Sequence, residues 1–316
     1  MYDNTSKGIS YSAGFFMLIG FAVAGLLLAS FISIPVWTSM TGKSIKAMET
    51  GMSDPANSNA IKIIQSISAI VGFFIPAVFT AFLLNRKPMK LIGFPGKINW
   101  QQVGLVFTIM ITAIFVSAFL SYVNEKIPIT DFWRIKFTKM ENDYSKQVEA
   151  IIRLNNTGEY ILALIIMAFL PALCEETLFR GGLQNFLTRS TKMPWLSIII
   201  VSLIFSAAHF SYFGFLPRVF LGIVLGLIYE FSGKIWLNII AHFLYNAIAV
   251  TALYIYKLQG KPLNESIAEK STSWEGILLL PVFIGLFYLF YKMTAAKKET
   301  TMIPIEEKIE NPLHGI

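Results

Sequence analysis

The chain has 316 residues, of which 55% are hydrophobic and 14% are charged, and its formal net charge is +7 at pH 7. Soluble domains carry about 25% charged residues, so this composition excludes a disordered chain and an ordinary water-soluble globule. It indicates a polytopic membrane protein, in which extra cations usually lie in cytoplasmic loops and give no reason to expect nucleic acid as a partner.

The hydropathy pattern predicts an all-α fold with eight membrane-spanning helices, since each helix needs about 20 mostly apolar residues. Numbered in chain order, the predicted spans are 13–37, 64–84, 103–123, 160–179, 195–210, 215–229, 235–256 and 274–291. Spans 5, 6 and 8 are short and are expected to extend into their flanks. The predicted regions are a three-helix membrane region at 1–125, an extramembrane loop at 126–159, a membrane core at 160–256, and a last helix with a polar tail at 257–316.

The distribution of Lys and Arg among the connecting segments predicts the orientation of the spans, because these residues concentrate on the cytoplasmic side. With eight spans, the segments after spans 2, 4 and 8 share one side with the N-terminus. We therefore expect cytoplasmic termini in an integral membrane protein, located in the plasma (inner) membrane if the source is bacterial. The cations of these segments are Arg86, Lys87, Lys90, Lys97, Arg189, Lys192, Lys292, Lys297 and Lys298.

Ionisable groups inside a span are informative, because a charge at bilayer depth costs on the order of 2.5–3.5 kcal/mol and usually serves a function. The acids within the apolar cores of the spans are Glu175 and Glu176. His209 and His242 lie in spans 5 and 7, whereas His314 lies in the tail. These side chains are the candidates for a functional site.

The first polar block is Glu-Glu-Thr-Leu-Phe-Arg at 175–180. Glu176 and Arg180 are four residues apart, so they share a helix face and are expected to pair. Glu175 is turned by about 100° and lacks that cation, which makes it the better candidate for a general base. Pro171 predicts a kink just before the pair. A buried Glu–Arg pair that only ties helices together is an equally good interpretation of this block alone.

The second and third blocks lie in spans 5 and 7. Small residues precede His209 in Phe-Ser-Ala-Ala-His, and such residues permit close helix approach. Asn238, His242 and Asn246 follow each other at four-residue steps and form a polar stripe on an otherwise apolar helix. Taken singly, these groups are explained by an interfacial histidine and by hydrogen bonds between helices.

Together the three blocks supply a carboxylate base, a second group to hold water, and neutral donors for an oxyanion. Glu175, His209 and His242 are also a ligand set for a single divalent ion such as Zn²⁺. The residues therefore leave both metal-free and metal-assisted hydrolysis open.

The three blocks resemble the CPBP (Abi) family of intramembrane proteases, which includes type II CAAX prenyl endopeptidases and lysostaphin-resistance-like proteins. The family pattern is Glu-Glu-x-x-x-Arg, then Phe-x-x-x-His, then His-x-x-x-Asn or Asp. This chain matches it in order and spacing at 175–180, 205–209 and 242–246. The resemblance covers about residues 160–250.

The resemblance implies hydrolysis of a peptide bond in or near the membrane, within a cavity among spans 4, 5 and 7. By analogy, Glu175 activates a water with help from His209, and His242 and Asn246 stabilise the oxyanion. The supporting residues that would orient the site are Glu176 and Arg180. We slightly favour a mechanism without a required cofactor. Expected partners are membrane lipid and a membrane-associated peptide or protein, for which a prenylated tail is one precedent.

Two other functions fit the same residues. In a proton- or ion-coupled transporter, Glu175, His209 and His242 would relay protons. Transporters often contain inverted repeats, and none is visible in this sequence. In a non-catalytic immunity or scaffold protein, the polar groups would only pack helices.

Overall fold

The structure is a computed structural model that describes residues 5–152, 154–260 and 273–301. His314, most of the predicted polar tail and residues 261–272 lie outside the described residues. The helices, numbered here in chain order, are α1 (Tyr11–Thr41), α2 (Pro55–Leu84), α3 (Trp100–Lys126), α4 (Asp131–Ile151), α5 (Thr157–Thr191), α6 (Pro194–Ala207), α7 (Phe215–Ser232), α8 (Ile235–Leu258) and α9 (Trp274–Ala295). Short helical turns at Ile45–Ala47, Met48–Gly51 and Pro88–Leu91 lie in the connections.

The predicted all-α fold is confirmed, and no strand occurs in the described ranges. Within those ranges, 7 helices are long and apolar enough to cross a membrane, so the protein is an integral membrane protein. The predicted span 5 corresponds to α6, which has only 14 residues. At 1.5 Å per residue it is about 21 Å long, less than the roughly 30 Å of a hydrocarbon core.

Polar side chains fix several helix ends. Ser10 and Asn99 accept hydrogen bonds from backbone N–H groups in the first turns of α1 and α3. Asn156 does the same for α5, where it accepts from the N–H of Glu159 at 2.9 Å. Because the first N–H groups of a helix have no partner within the helix, these caps stabilise the observed starting points.

Helix α5 is the longest, with 35 residues, and it is not regular along its length. Two π-helical segments, Leu164–Phe169 and Thr177–Gln184, enclose the α-helical stretch Leu170–Glu176. Pro171 lies at the start of that stretch, directly after a π segment. The residue that has no backbone N–H to donate is therefore next to the wider turn of the π segment. The irregular backbone therefore surrounds the two glutamates, and π segments often mark functional sites.

Small residues let α6 and α7 approach closely. A Cβ atom at Gly222 would lie 2.8 Å from the Cβ of Ser202, and one at Gly226 would lie 2.9 Å from a methyl group of Ile198. Real Cβ atoms do not tolerate such distances, so glycine at these positions determines the helix separation. This close contact holds the short helix α6 beside α7.

The region predicted as an extramembrane loop contains the 21-residue helix α4. Its Phe137 ring stacks on Tyr212 with centroids 4.6 Å apart, and Glu141 accepts a hydrogen bond from Ser211 at 2.9 Å. Both partners belong to the connection between α6 and α7. Helix α4 therefore packs against the end of α6 at which His209 lies.

Candidate active site

The predicted pair of Glu176 and Arg180 is present and fully buried, with Arg180 Nη1 2.8 Å from Glu176 Oε1. Arg180 also donates to the carbonyl of Gly222 on α7 at 3.2 Å. Its guanidinium lies 4.7 Å from the ring centroid of Phe205 on α6. One arginine thus joins α5, α6 and α7, and it compensates the charge of a carboxylate removed from solvent.

Two residues of the polar stripe on α8 bind the same carboxylate. His242 Nδ1 lies 2.7 Å from Glu176 Oε1, and Asn238 Nδ2 lies 3.4 Å from Glu176 Oε2. Asn238 also donates to the carbonyl of Leu225 at 2.6 Å. Because an ionised carboxylate only accepts, the proton of a neutral His242 is held on Nδ1, and Nε2 keeps its lone pair.

Glu175 faces the other nitrogen of the same imidazole. Its Oε2 lies 3.9 Å from His242 Nε2, and its side chain is 16% exposed. Among the described residues, this buried oxygen has no hydrogen-bond partner. The distance is too long for a direct hydrogen bond, but a single water could contact both atoms. The imidazole of His242 therefore lies between the two glutamates, which have different surroundings.

His209 was expected within span 5, but α6 ends at Ala207 and His209 lies in the turn that follows. The backbone of Phe210 has φ 50°, in the left-handed region, and the chain does not continue as a helix there. His209 is exposed, and its Nδ1 lies 2.8 Å from the carbonyl oxygen of Phe205. Since a carbonyl only accepts, Nδ1 carries the proton and Nε2 is left available.

A cavity of about 350 Å³ adjoins these groups. Its lining residues are Ser121, Tyr144, Phe205, His209, Gly214, Pro217, Arg218, Leu221, His242, Tyr245, Asn246 and Ala249. Three of the four predicted catalytic residues, His209, His242 and Asn246, thus share one cavity. Glu175 is not in its lining and is connected to it through His242.

Arg218 is a cavity residue that the analysis of the sequence missed. Its Nη1 is buried and has no hydrogen-bond partner within the described part of the chain. Gly214 makes room for the guanidinium, because a Cβ there would collide with Arg218 Nη1. A signal was present in the sequence, since Arg218 is a cation inside a predicted span, and such groups usually face a cavity.

The residues do not fit the three-ligand metal site that was considered for Glu175, His209 and His242. Across residues 5–152, 154–260 and 273–301, no group of three or more His, Cys, Asp or Glu side chains is arranged to hold a metal ion. Of these three candidate ligands, only Glu175 and His242 have side chains that approach each other, with Glu175 Oε2 3.9 Å from His242 Nε2.

Comparisons with known proteins agree with the residue pattern. Residues 157–248 match the family described as type II CAAX prenyl endopeptidase Rce1-like. The chain is also similar to the uncharacterized protein YpbD of Bacillus subtilis, with 35% identity over 89 residues, which are 27% of this chain and 42% of YpbD. It thus spans less than half the length of that curated relative. No solved structure matches the chain.

The family match confirms the resemblance for the segment that contains all three polar blocks. All the residues of the Glu176 network and of the Glu175–His242 contact lie inside the matched segment.

Proposed function

We propose that this chain is an intramembrane endopeptidase that hydrolyses a peptide bond of a membrane-associated protein or peptide with a water activated by glutamate and histidine. One observation carries the proposal: the buried Oε2 of Glu175, which has no hydrogen-bond partner in the described part of the chain, faces Nε2 of His242 at 3.9 Å. A purely structural carboxylate at this depth is expected to have a partner, as Glu176 does.

The proposed reaction begins with a water between these two atoms. It donates one hydrogen bond to Glu175 Oε2 and one to His242 Nε2, which leaves a lone pair on its oxygen directed at the substrate. Glu175 takes a proton as the water oxygen forms a bond to the scissile carbonyl carbon. When the C–N bond breaks, that proton passes to the leaving amine, and the products are a carboxylic acid and an amine.

The cavity provides groups for the negative charge that develops on the carbonyl oxygen. Asn246 supplies a neutral amide donor, and Arg218 supplies a guanidinium nitrogen that no other described residue bonds. Groups held in place before the reaction stabilise such an oxyanion without reorganisation. His209 lines the same cavity, and its free Nε2 is available to assist the proton transfer.

The buried network holds His242 in the orientation that this reaction needs. Glu176 fixes Nδ1, Arg180 compensates the charge of Glu176, and Asn238 holds the second carboxylate oxygen. Hydrogen bonds behind a reactive imidazole set its tautomer and direction. We therefore assign Glu176, Arg180 and Asn238 as positioning residues.

The substitution Glu175→Gln tests this function. Gln keeps the size of the side chain but removes the base, so proteolysis should be lost while folding is retained. Glu159→Gln is the matched control: the same change on the same helix, at a side chain that bonds only a nearby backbone N–H within the described residues. The measurement is mass spectrometry of C-terminal and juxtamembrane peptides from cells with the wild type and each variant.

The expected result is a set of uncleaved peptides that accumulates only with Glu175→Gln. A pure Glu175→Gln sample that still cleaves a verified substrate would refute the mechanism. Loss of folding in this variant, with no separate effect on cleavage, would favour a scaffold role. Because prenylated tails are the precedent from the family resemblance, the peptide search should include prenylated cysteine.

A further inference from the structure

A second cavity lies at the ends of α2 and α5. It has a volume of about 290 Å³ and is lined by Thr5, Asn85, Lys87, Lys90, Leu91 and Arg189. Lys87 and Lys90 follow the end of α2, whereas Arg189 lies in the last turn of α5. Two spanning helices end here, so the cavity lies where the membrane meets water.

Three cations line this cavity, and the described residues provide no acid to compensate them. No Asp or Glu is among its lining residues, and within the described ranges Lys87, Lys90 and Arg189 form no salt bridge. Three like charges around one small volume repel one another. An anion in the cavity would remove that repulsion.

Arg189 is held in place before any ligand binds. Its Nε donates to Asn185 Oδ1 at 2.8 Å, and its guanidinium lies 5.2 Å from the ring centroid of Tyr11. Asn185 in turn donates to the carbonyl of Leu91 at 2.6 Å, which ties the lysine segment to the end of α5. A guanidinium fixed through Nε still presents both Nη groups, a geometry that suits the oxygens of a phosphate.

We propose that this cavity binds an anionic phosphate group, and that its source is the headgroup of a membrane lipid. Phe79 and Phe82, on the last turns of α2, are exposed apolar side chains near the same helix end, where the acyl chains would lie. Basic pockets between membrane helices bind anionic headgroups in this way. The proposal does not depend on the catalytic function, because it concerns different residues.

The test uses the purified full-length chain in mixed micelles of phosphatidylglycerol and phosphatidylcholine, with bound lipid counted by native mass spectrometry. The variant Lys87→Gln/Lys90→Gln/Arg189→Gln removes the three cations. The matched control is Arg134→Gln/Lys139→Gln/Lys146→Gln, which removes the same charge from a separate cavity on α4 that Asp143 also lines. Each cation near an anionic surface changes binding about fivefold, so the first variant should bind phosphatidylglycerol on the order of 100-fold more weakly.

The control variant should retain the wild-type preference for phosphatidylglycerol. Unchanged binding in the first variant would overturn the proposal, as would an equal loss in the control. Inorganic phosphate that binds the lipid-free protein, combined with no preference between the two lipids, would assign the site to free phosphate and overturn the lipid source. If the triple variant fails to fold, Lys87→Gln/Lys90→Gln keeps the contacts of Arg189 with Asn185 and Tyr11 and should still weaken binding by about 25-fold.

Discussion

Substitution of Arg180 by Met tests whether the buried charge network stabilises the fold. Arg180 compensates Glu176 at 2.8 Å, and both side chains are fully buried. Removal of one partner of a buried ion pair typically costs about 3–5 kcal/mol, because the other charge remains without compensation. Met fills most of the volume, so the cost comes chiefly from the electrostatic change and not from a cavity.

The contacts that Glu176 and Gly222 keep or lose determine how large this change in the free energy of unfolding is. Glu176 would still accept hydrogen bonds from His242 and Asn238, which lowers the penalty for its charge. The carbonyl of Gly222 would lose its donor, at a cost of about 1 kcal/mol. We therefore expect Arg180→Met to lower the free energy of unfolding by about 3 kcal/mol.

The double variant Arg180→Met/Glu176→Gln separates charge from packing. It removes both charges and keeps an acceptor for His242, so its stability should return to within about 1–2 kcal/mol of the wild type. The assay is unfolding in mixed micelles followed by circular dichroism, with Arg134→Met on the exposed surface of α4 as control. A change below about 1 kcal/mol in Arg180→Met, or a double variant less stable than the single one, would refute the reasoning.

Three further predictions follow from the geometry. Gly25→Ala should destabilise the protein by about 1–3 kcal/mol, because a Cβ there would collide with the carbonyl of Val71. Gly20→Ala, on the same helix but with open space around it, should be neutral or slightly stabilising in the same unfolding assay. Asn246→Ala should lower kcat about 10²–10³-fold through loss of an oxyanion donor, and an unchanged kcat on a verified substrate would remove Asn246 from the proposed mechanism. Arg218→Gln should lower kcat about 10²-fold without loss of thermal stability, since it removes a proposed oxyanion donor whose buried nitrogen has no other partner within the described residues; a marked fall in melting temperature would show that the side chain is structural.

Much of the fold is readable from the sequence, because a bilayer demands long apolar helices and tolerates few charges inside them. The predicted spans agree with the observed helices to within a few residues at most ends. The largest differences are at the start of α2 and the end of α5, where polar residues continue a helix beyond the apolar stretch. The pairing of Glu176 with Arg180 was also predictable, since it depends only on a four-residue step along one helix.

Contacts between helices could not be predicted from the sequence in the same way. The spacing of residues on one helix does not give its rotation against another, so the placement of His242 between the two glutamates depends on how α5 and α8 pack. The two π segments of α5 shift the faces on which later side chains lie, and a regular period of 3.6 residues does not anticipate them. The apolar pattern predicted that the helix continues to residue 210. His209 instead lies in a turn, because the left-handed backbone of Phe210 ends the helix before that point.

An all-α membrane protein, with few polar side chains inside its spans, can be recognised from the amino-acid sequence, because the cost of burying charge in lipid acts on each residue separately. Which of those groups meet depends on how the helices pack. Packing places Arg218 in the cavity, puts Glu175 Oε2 beside His242 with no hydrogen-bond partner among the described residues, and brings three cations together at the ends of α2 and α5. These outcomes depend on helix rotation and close packing, which are properties of the whole assembly of helices.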